Sequence, residues 1–345
     1  MSERVRIVVD AMGGDYAPSE PVKGAVDALN EEERIEVIFT GDEAAIQKEL
    51  DGLTYPKDRV RIVPTSQVIE TGEPPVKAIQ SKKDSSLVVG LQLVHKEEAD
   101  AFVSSGSTGA VLVGGQAIVK KIRGIQRAPL APLIPTQTGV SLLIDCGANV
   151  DARPQHLLQF AVIGSLYMKE VLGLKEPRVG LVNIGAEEEK GNALCKEAYP
   201  LLQACKDIHF IGNVEARDIP RGAADVYVTE AFVGNVIIKL YEGVGGVLME
   251  EIKSGIMSTT RSKIGGMMIK PALKETLKKF DASNYGGAPL LGLKGLVVKT
   301  HGSSKAKEFK NTLLQCLQFR ESDVNGKIRQ FLEEQEKQKE QAQAE

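Results

Sequence analysis

The sequence predicts an α/β fold in which a mainly parallel sheet is covered by helices on both faces. Three observations carry that prediction. Short, near-continuous β-branched runs recur along the chain, as strands buried on both faces require. Each run ends in a cluster of Gly, Ser, Asn or Asp and is followed by a helical stretch, the order of a βαβ unit. The 34 glycines are spread through the 345 residues rather than gathered in one segment, which fits many tight strand-to-helix turns.

Taken in order, Val5–Val9 precedes Asp10-Ala-Met-Gly-Gly-Asp15, and Val37–Phe39 precedes Thr40-Gly-Asp42. Ala101–Val103 leads into Ser104-Ser-Gly-Ser-Thr-Gly109, and Ser141–Ile144 into Asp145-Cys-Gly-Ala-Asn149. Val179–Val182 is followed by Asn183-Ile-Gly185, and His209–Ile211 by Gly212-Asn213. Val226–Val228 leads toward Phe232-Val-Gly-Asn235, and Leu296–Val298 toward His301-Gly-Ser-Ser304. In such sheets the loops beyond the carboxyl ends of the strands gather along one edge and form the ligand crevice. These clusters are therefore expected to face one another.

Two regions depart from the pattern. Residues 244–280 hold no convincing strand and read as a helical hairpin with its junction at Gly265-Gly266. From Lys253 to Phe280 there are seven basic residues and one acidic, Glu275, a local +6 in a chain of net charge −3. The tail 332–345 is rich in Glu, Gln and Lys without apolar period and reads as a fraying helix or disordered end. Residues 1–331 are expected to form one domain that includes the hairpin.

Composition excludes several classes. With 42% apolar and 26% charged residues this is neither a disordered nor a fibrous chain. Its charge balance disfavours nucleic acid as a partner, because neutralising phosphates needs a basic surplus. The four cysteines show no C-x-x-C spacing and the four histidines are scattered, so a reduced, cytosolic protein without a metal site is expected. The longest weakly polar run, Gly109 to Val119, falls short of the roughly 20 residues that span a bilayer. G-x-S-x-G, G-x-x-x-x-G-K-[ST] and G-x-G-x-x-G are all missing, which disfavours a serine hydrolase, a P-loop nucleotidase and a dinucleotide enzyme.

What remains suggests an anion handler. Ser104, Ser105, Gly106, Ser107, Thr108 and Gly109 sit between a strand and a helix, where backbone N–H groups and the macrodipole favour negative charge. A simple N-cap by Ser107 or Thr108 is the alternative. Lys190 and Asn192 follow Asn183-Ile-Gly185 and supply a cation and an amide donor, or else a solvated turn. Asp10, Asp15, Asp145 and Asn149 put polar groups on the same rim, as caps, clamps or bases. Asn235 is expected at a helix N-terminus with the helix running Val236–Tyr241. His301 alone of the histidines stands at a strand end beside glycine and serines. Met267, Met268 and Ile269, with Lys263 and Lys270, suit an anionic membrane surface or a dock for an acidic protein, or else a packed hairpin with a solvated basic face.

The turns Val9-Asp-Ala-Met-Gly-Gly-Asp15, Lys82-Lys-Asp-Ser-Ser-Leu87, Ser105-Gly-Ser-Thr-Gly-Ala110 and Asp145-Cys-Gly-Ala-Asn149 resemble those of the PlsX-type phosphate acyltransferases of bacterial phospholipid synthesis. Lys190-Gly-Asn192, Gly212-Asn-Val-Glu-Ala-Arg-Asp-Ile219, Phe232-Val-Gly-Asn235, Asn284-Tyr-Gly-Gly-Ala-Pro-Leu290 and His301-Gly-Ser-Ser304 extend the resemblance over about Arg6 to Phe319. Cys146, Ser107, Ala186, Glu230-Ala231 and Ala216 depart from the family pattern. The resemblance implies a three-layer α/β/α sandwich of the isocitrate dehydrogenase and phosphotransacetylase type, in a homodimer. It implies transfer of a long-chain acyl group from acyl carrier protein to orthophosphate, without metal or organic cofactor. It further implies a cytoplasmic protein held peripherally at the membrane, passing acyl phosphate to a membrane glycerol-3-phosphate acyltransferase. Within that reading the Ser104–Gly109 turn holds phosphate with Gly13, Gly14, Asp15, Asp145, Asn149, Asn213 and His301 around the substrates. Lys190 then offsets charge, and Asn192 and Asn235 polarise the thioester carbonyl. An acyl-coenzyme A enzyme and a non-enzymatic membrane scaffold are the rival readings.

Overall fold

The computed structural model describes residues 4–344. Its strands are β1 (Val5–Asp10), β2 (Ile35–Gly41), β3 (Val60–Pro64), β4 (Ala101–Ser104), β5 (Leu133–Thr136), β6 (Gly139–Ile144), β7 (Arg178–Asn183), β8 (His209–Glu215), β9 (Val226–Val228), β10 (Ala288–Leu290) and β11 (Leu296–Lys299). The helices are α1 (Ser19–Glu31), α2 (Glu43–Asp51), α3 (Pro75–Ser81), α4 (Ser86–His95), α5 (Thr108–Gly114), α6 (Pro154–Glu170), α7 (Ala193–Ala204), α8 (Ala231–Met257), α9 (Thr260–Lys278), α10 (Ala306–Glu321) and α11 (Val324–Ala344). A π-helical segment, Gly115–Val119, continues α5. Each apolar run singled out from the sequence lies on a strand.

The strands form two sheets, ordered β10-β11-β4-β1-β2-β3 and β5-β6-β9-β7-β8. All pairings within the sheets are parallel except those of the edge strands β10 and β5. The fold is thus α/β with mainly parallel sheets, as expected. One apolar cluster joins the two: Ile7, Val9 and Phe39 of the first sheet and Leu142, Ile144 and Val226 of the second belong to it, with Phe160 of α6 and Phe309 of α10.

Connectivity decides where a crevice opens. From β1 the chain moves outward to β2 and β3, then returns to lay β4 on the other side of β1. Loops leaving β1 and β4 therefore set out toward opposite faces, the switch point at which sheets of this kind place their ligands. The tail from Leu332 continues α11 as helix to Ala344.

Candidate functional site

A polar rung crosses the first sheet at that switch point. Asp10 pairs with Thr40, Lys299 pairs with Ser104, and the residues just before Asp10 and Ser104, Val9 and Val103, are partners. Register partners in a parallel sheet project to one face. Lys299, Ser104, Asp10 and Thr40 thus form one row, at exposures of 7%, 0%, 2% and 0%. Ser104 Oγ donates to Asp10 Oδ2 at 2.7 Å, and Met12 N donates to Oδ1 at 3.2 Å. Burial raises the Asp10 pKa above its ordinary value, while hydrogen bonds from Ser86, Ser104 and Met12 and the charge of Lys299 oppose the rise. Burial likewise pulls Lys299 down to about 8, against Asp10 and Asp15. Its ammonium donates to the carbonyl oxygen of Thr300.

Three turns close over this row. A Cβ on Gly13 would stand 2.7 Å from both Asp10 Oδ2 and Gly106 N, so only glycine lets the β1 turn settle onto the serine turn. Ser105 Oγ donates to the Gly13 carbonyl at 2.6 Å, and Gly14 holds φ +92°. Asp15 N donates to Gly302 O at 2.8 Å, and Thr300 N to Ser104 O at 3.0 Å. Gly13, Gly14, Asp15, Ser104, Ser105, Gly106 and the His301 turn are therefore in mutual contact. Ser107 caps α5, its Oγ accepting from Ala110 N at 3.4 Å; Thr108 is exposed, and Gly109 packs on the Pro75 ring. His301 is exposed, its Nδ1 2.8 Å from Ser303 Oγ.

A second group forms behind β6. Asp145 Oδ1 accepts from the amides of Leu130, Gly147 and Ala148, and Oδ2 from Asn149 N and Nδ2 at 2.8 and 2.7 Å. That arrangement makes Asp145 the clamp of its own turn, a role the sequence reading left open beside catalysis. Ala231 N donates to Asn149 O at 3.1 Å. Glu230, one of the departures from the family pattern, caps α8 by accepting from Phe232 N and Val233 N. Because α8 starts at Ala231, Asn235 is one turn inside it and not at its N-terminus as expected. Gly234, read as part of a turn, is helical; it lets α8 approach the Asp145 carbonyl, which a Cβ would overlap.

A third group follows β7. Asn183 Nδ2 donates to Lys190 O at 3.1 Å, and Asn192 Oδ1 caps α7 by accepting from Cys195 N at 2.9 Å. Asn213, from β8, donates to Glu187 O at 2.8 Å and so holds the acidic stretch of this loop. Lys190 and Asn192 are exposed, and no hydrogen bond among the described residues joins them to the serine turn. Helix α8 links the groups: Glu242, exposed on it, senses the charge of His301 and in turn acts on Cys146. The sequence reading missed Lys299 and Glu242, and gave no role to Ser86 or Glu230. Only Lys299 carried a signal, as a cation ending an apolar strand just before His301-Gly302.

The chemistry open to this crevice is anion binding by backbone amides, hydroxyls and a buried ammonium. All four cysteines are free, and burial raises each thiol pKa, so none is poised as a thiolate. Among the described residues no group of three metal-ligating side chains occurs.

The hairpin departs from expectation in three ways. Its first helix begins at Ala231, its turn is Ser258-Thr259, and Gly265-Gly266 lie within α9, where Gly266 admits Ile256 of α8. Met267, Met268 and Ile269 are consequently on a helix flank at 68%, 79% and 53% exposure, with Lys263 and Lys270 exposed beside them. The third departure is length. Helix α8 is long and apolar enough to cross a membrane by those measures alone, with a mean hydropathy of 1.4 over its most apolar stretch. The sequence reading counted uninterrupted apolar runs, and Lys239 and Glu242 broke this one.

A family described as fatty acid synthesis protein matches residues 5–327. The phosphate acyltransferase of Clostridium tetani is 48% identical over 328 residues, 95% of this chain and 98% of that protein. That of Clostridium novyi is 46% identical over 330 residues, covering 96% and 99%. Among solved structures, the EutD phosphotransacetylase from Staphylococcus aureus superposes with a TM-score of 0.61 at 18% identity, over 92% of this chain and 94% of its own. A phosphotransacetylase from Streptococcus pyogenes does so with the same score and identity, over 93% and 95%. At that identity the likeness shows the fold alone.

Proposed function

The chain belongs to the fatty acid synthesis protein family, that of the phosphate acyltransferases, and from this membership we propose that it moves a long-chain acyl group from acyl carrier protein to orthophosphate. The observation that carries the reading is the meeting of three glycine- and serine-rich turns at the carboxyl ends of β1, β4 and β11, beside one buried ammonium.

Hydrogen phosphate is already a competent nucleophile near neutral pH, so the protein needs to hold it, aim it and stabilise the tetrahedral oxyanion. A phosphate oxygen bonds to the thioester carbonyl carbon and the carbon–sulfur bond breaks. The proton of hydrogen phosphate ends on the departing thiol, giving acyl phosphate and free carrier. The Ser104–Gly109 turn holds phosphate, Lys190 offsets its charge at the open mouth, and Asn192 and Asn235 donate to the thioester carbonyl. Asn192 Nδ2 is free for that role because only its Oδ1 is used by the cap.

The hairpin docks the protein peripherally on the cytoplasmic membrane face through Met267, Met268, Ile269, Lys263 and Lys270. Acyl phosphate then reaches a membrane glycerol-3-phosphate acyltransferase over a short path. A second copy of the chain covers the stripe Phe232, Val236 and Leu240, exposed at 64%, 51% and 64%.

The test is incubation of purified protein with long-chain acyl carrier protein and orthophosphate. Phosphate-dependent release of carrier thiol with a hydroxylamine-trappable product is expected. Equal or faster reaction with long-chain acyl-coenzyme A overturns the donor assignment, and no phosphate-dependent release from either donor overturns the reaction.

A further inference from the structure

We infer that Lys299 is the cation that contacts the phosphate substrate, from the floor of the crevice, and that it sets the enzyme's affinity for phosphate. This rests on the acyl-transfer reading above and adds to it a residue that composition and motif did not single out.

A lysine has three N–H donors and is seldom buried unless paired. Lys299 is 93% buried, given its 7% exposure, yet its only acceptor among the described residues is the carbonyl of the adjoining Thr300. No carboxylate oxygen lies within 4.0 Å of it among those residues, so it has no ion pair of its own. Asp10 and Asp15 act on it from farther off, and Asp10 is already occupied by Ser104 and Met12. A buried charge in this state is unfavourable unless an anion completes it.

The surroundings fit a tetrahedral oxyanion. Thr300 Oγ1 and Ser304 Oγ, on the strand end and turn beside Lys299, are buried hydroxyls with no hydrogen-bond partner among the described residues. Ser104 and Lys299 are register partners, so the ammonium lies beside the root of the serine turn. Lys190, by contrast, is exposed, where water and salt screen its attraction for an anion. The floor cation binds and the mouth cation attracts.

The experiment uses full-length enzyme with saturating acyl donor and varied phosphate. Lys299→Met should raise the KM for phosphate about tenfold to hundredfold, the range for loss of one hydrogen bond to a charged group, with the acyl-donor KM unchanged. Lys299→Arg, which keeps the charge in another shape, should fall between. A phosphate KM within twofold of wild type in the Met variant overturns the assignment. Should that variant fail to fold, hydrogen exchange on the wild-type protein decides. Phosphate should protect residues 299–305 and 104–109, and unchanged exchange at 299–305 overturns the inference. A wild-type protein protected there but inactive with every acyl thioester refutes the acyl-transfer reading and leaves Lys299 as a phosphate ligand.

Discussion

Replacing Met267, Met268 and Ile269 together by aspartate tests the hairpin as a membrane contact. Their exposed fractions, 68%, 79% and 53%, amount to two whole side chains of apolar surface that nothing among the described residues covers. Burying one such side chain is worth about 1.5–3 kcal/mol, so lipid contact through all three supplies about 3–6 kcal/mol. At 1.4 kcal/mol per factor of ten, the variant should partition onto vesicles about 10²–10⁴-fold more weakly. Three new carboxylates facing anionic lipid add to that loss. The assay is co-sedimentation with anionic vesicles at low salt, with circular dichroism and turnover of a soluble short-chain thioester as controls. None of the three is buried against the α/β body, so both controls should match wild type. Vesicle binding within threefold of wild type refutes the assignment, and the exposed methionines then need another partner.

Three further outcomes follow from the crevice and its supports. Lys190→Ala should lower turnover about 10²–10³-fold while leaving thermal unfolding unchanged, and near-normal activity removes Lys190 from the reaction. Asp145→Asn exchanges one acceptor oxygen for a donor among five N–H groups; it should cost about 2–4 kcal/mol in urea unfolding, and a loss below 0.5 kcal/mol excludes the clamp role. Burial holds Lys299 at about 8 in the folded protein against its ordinary 10.5, so between those values the unfolded chain binds more protons and stability rises with pH. Relative to Lys299→Met, wild type should gain about 3 kcal/mol across that window, and parallel pH profiles of the two refute the buried-ammonium reading.

How much of this was readable in advance follows from what glycine and proline do. The central strands were legible because burial on both faces makes them uninterrupted β-branched runs. The strands β3, β5 and β10 were not: all three are edges, and Pro64, Pro135 and Pro289 break their pattern at positions an edge tolerates. The turns of the crevice were legible because tight strand-to-helix connections need Gly and Ser. Gly234 and Gly265-Gly266 misled for one shared reason. Glycine was read as punctuation, whereas Gly234 and Gly266 sit within helices and let a neighbour come close: the Asp145 carbonyl in one case, Ile256 in the other. Lys299 shows in the sequence only as a cation ending an apolar strand; its meaning comes from register with Ser104 and Asp10, a relation between strands far apart in sequence.

One helix begins beside the crevice and ends at the exposed tip. The first turn of α8 is fixed by Glu230, by the Ala231–Asn149 bond and by the fit of Gly234 against Asp145. Its 27 residues, at 1.5 Å each, form a rod about 40 Å long. The rod is a ruler: it fixes the standoff between the Asp145 turn and whatever surface the tip touches. It is also indexed in angle, since removing about seven residues shortens it by about 10 Å yet brings the same flank round, whereas removing about two turns the tip through more than half a revolution. Evolution of that length is therefore free to proceed in steps of two helical turns, and costly in between.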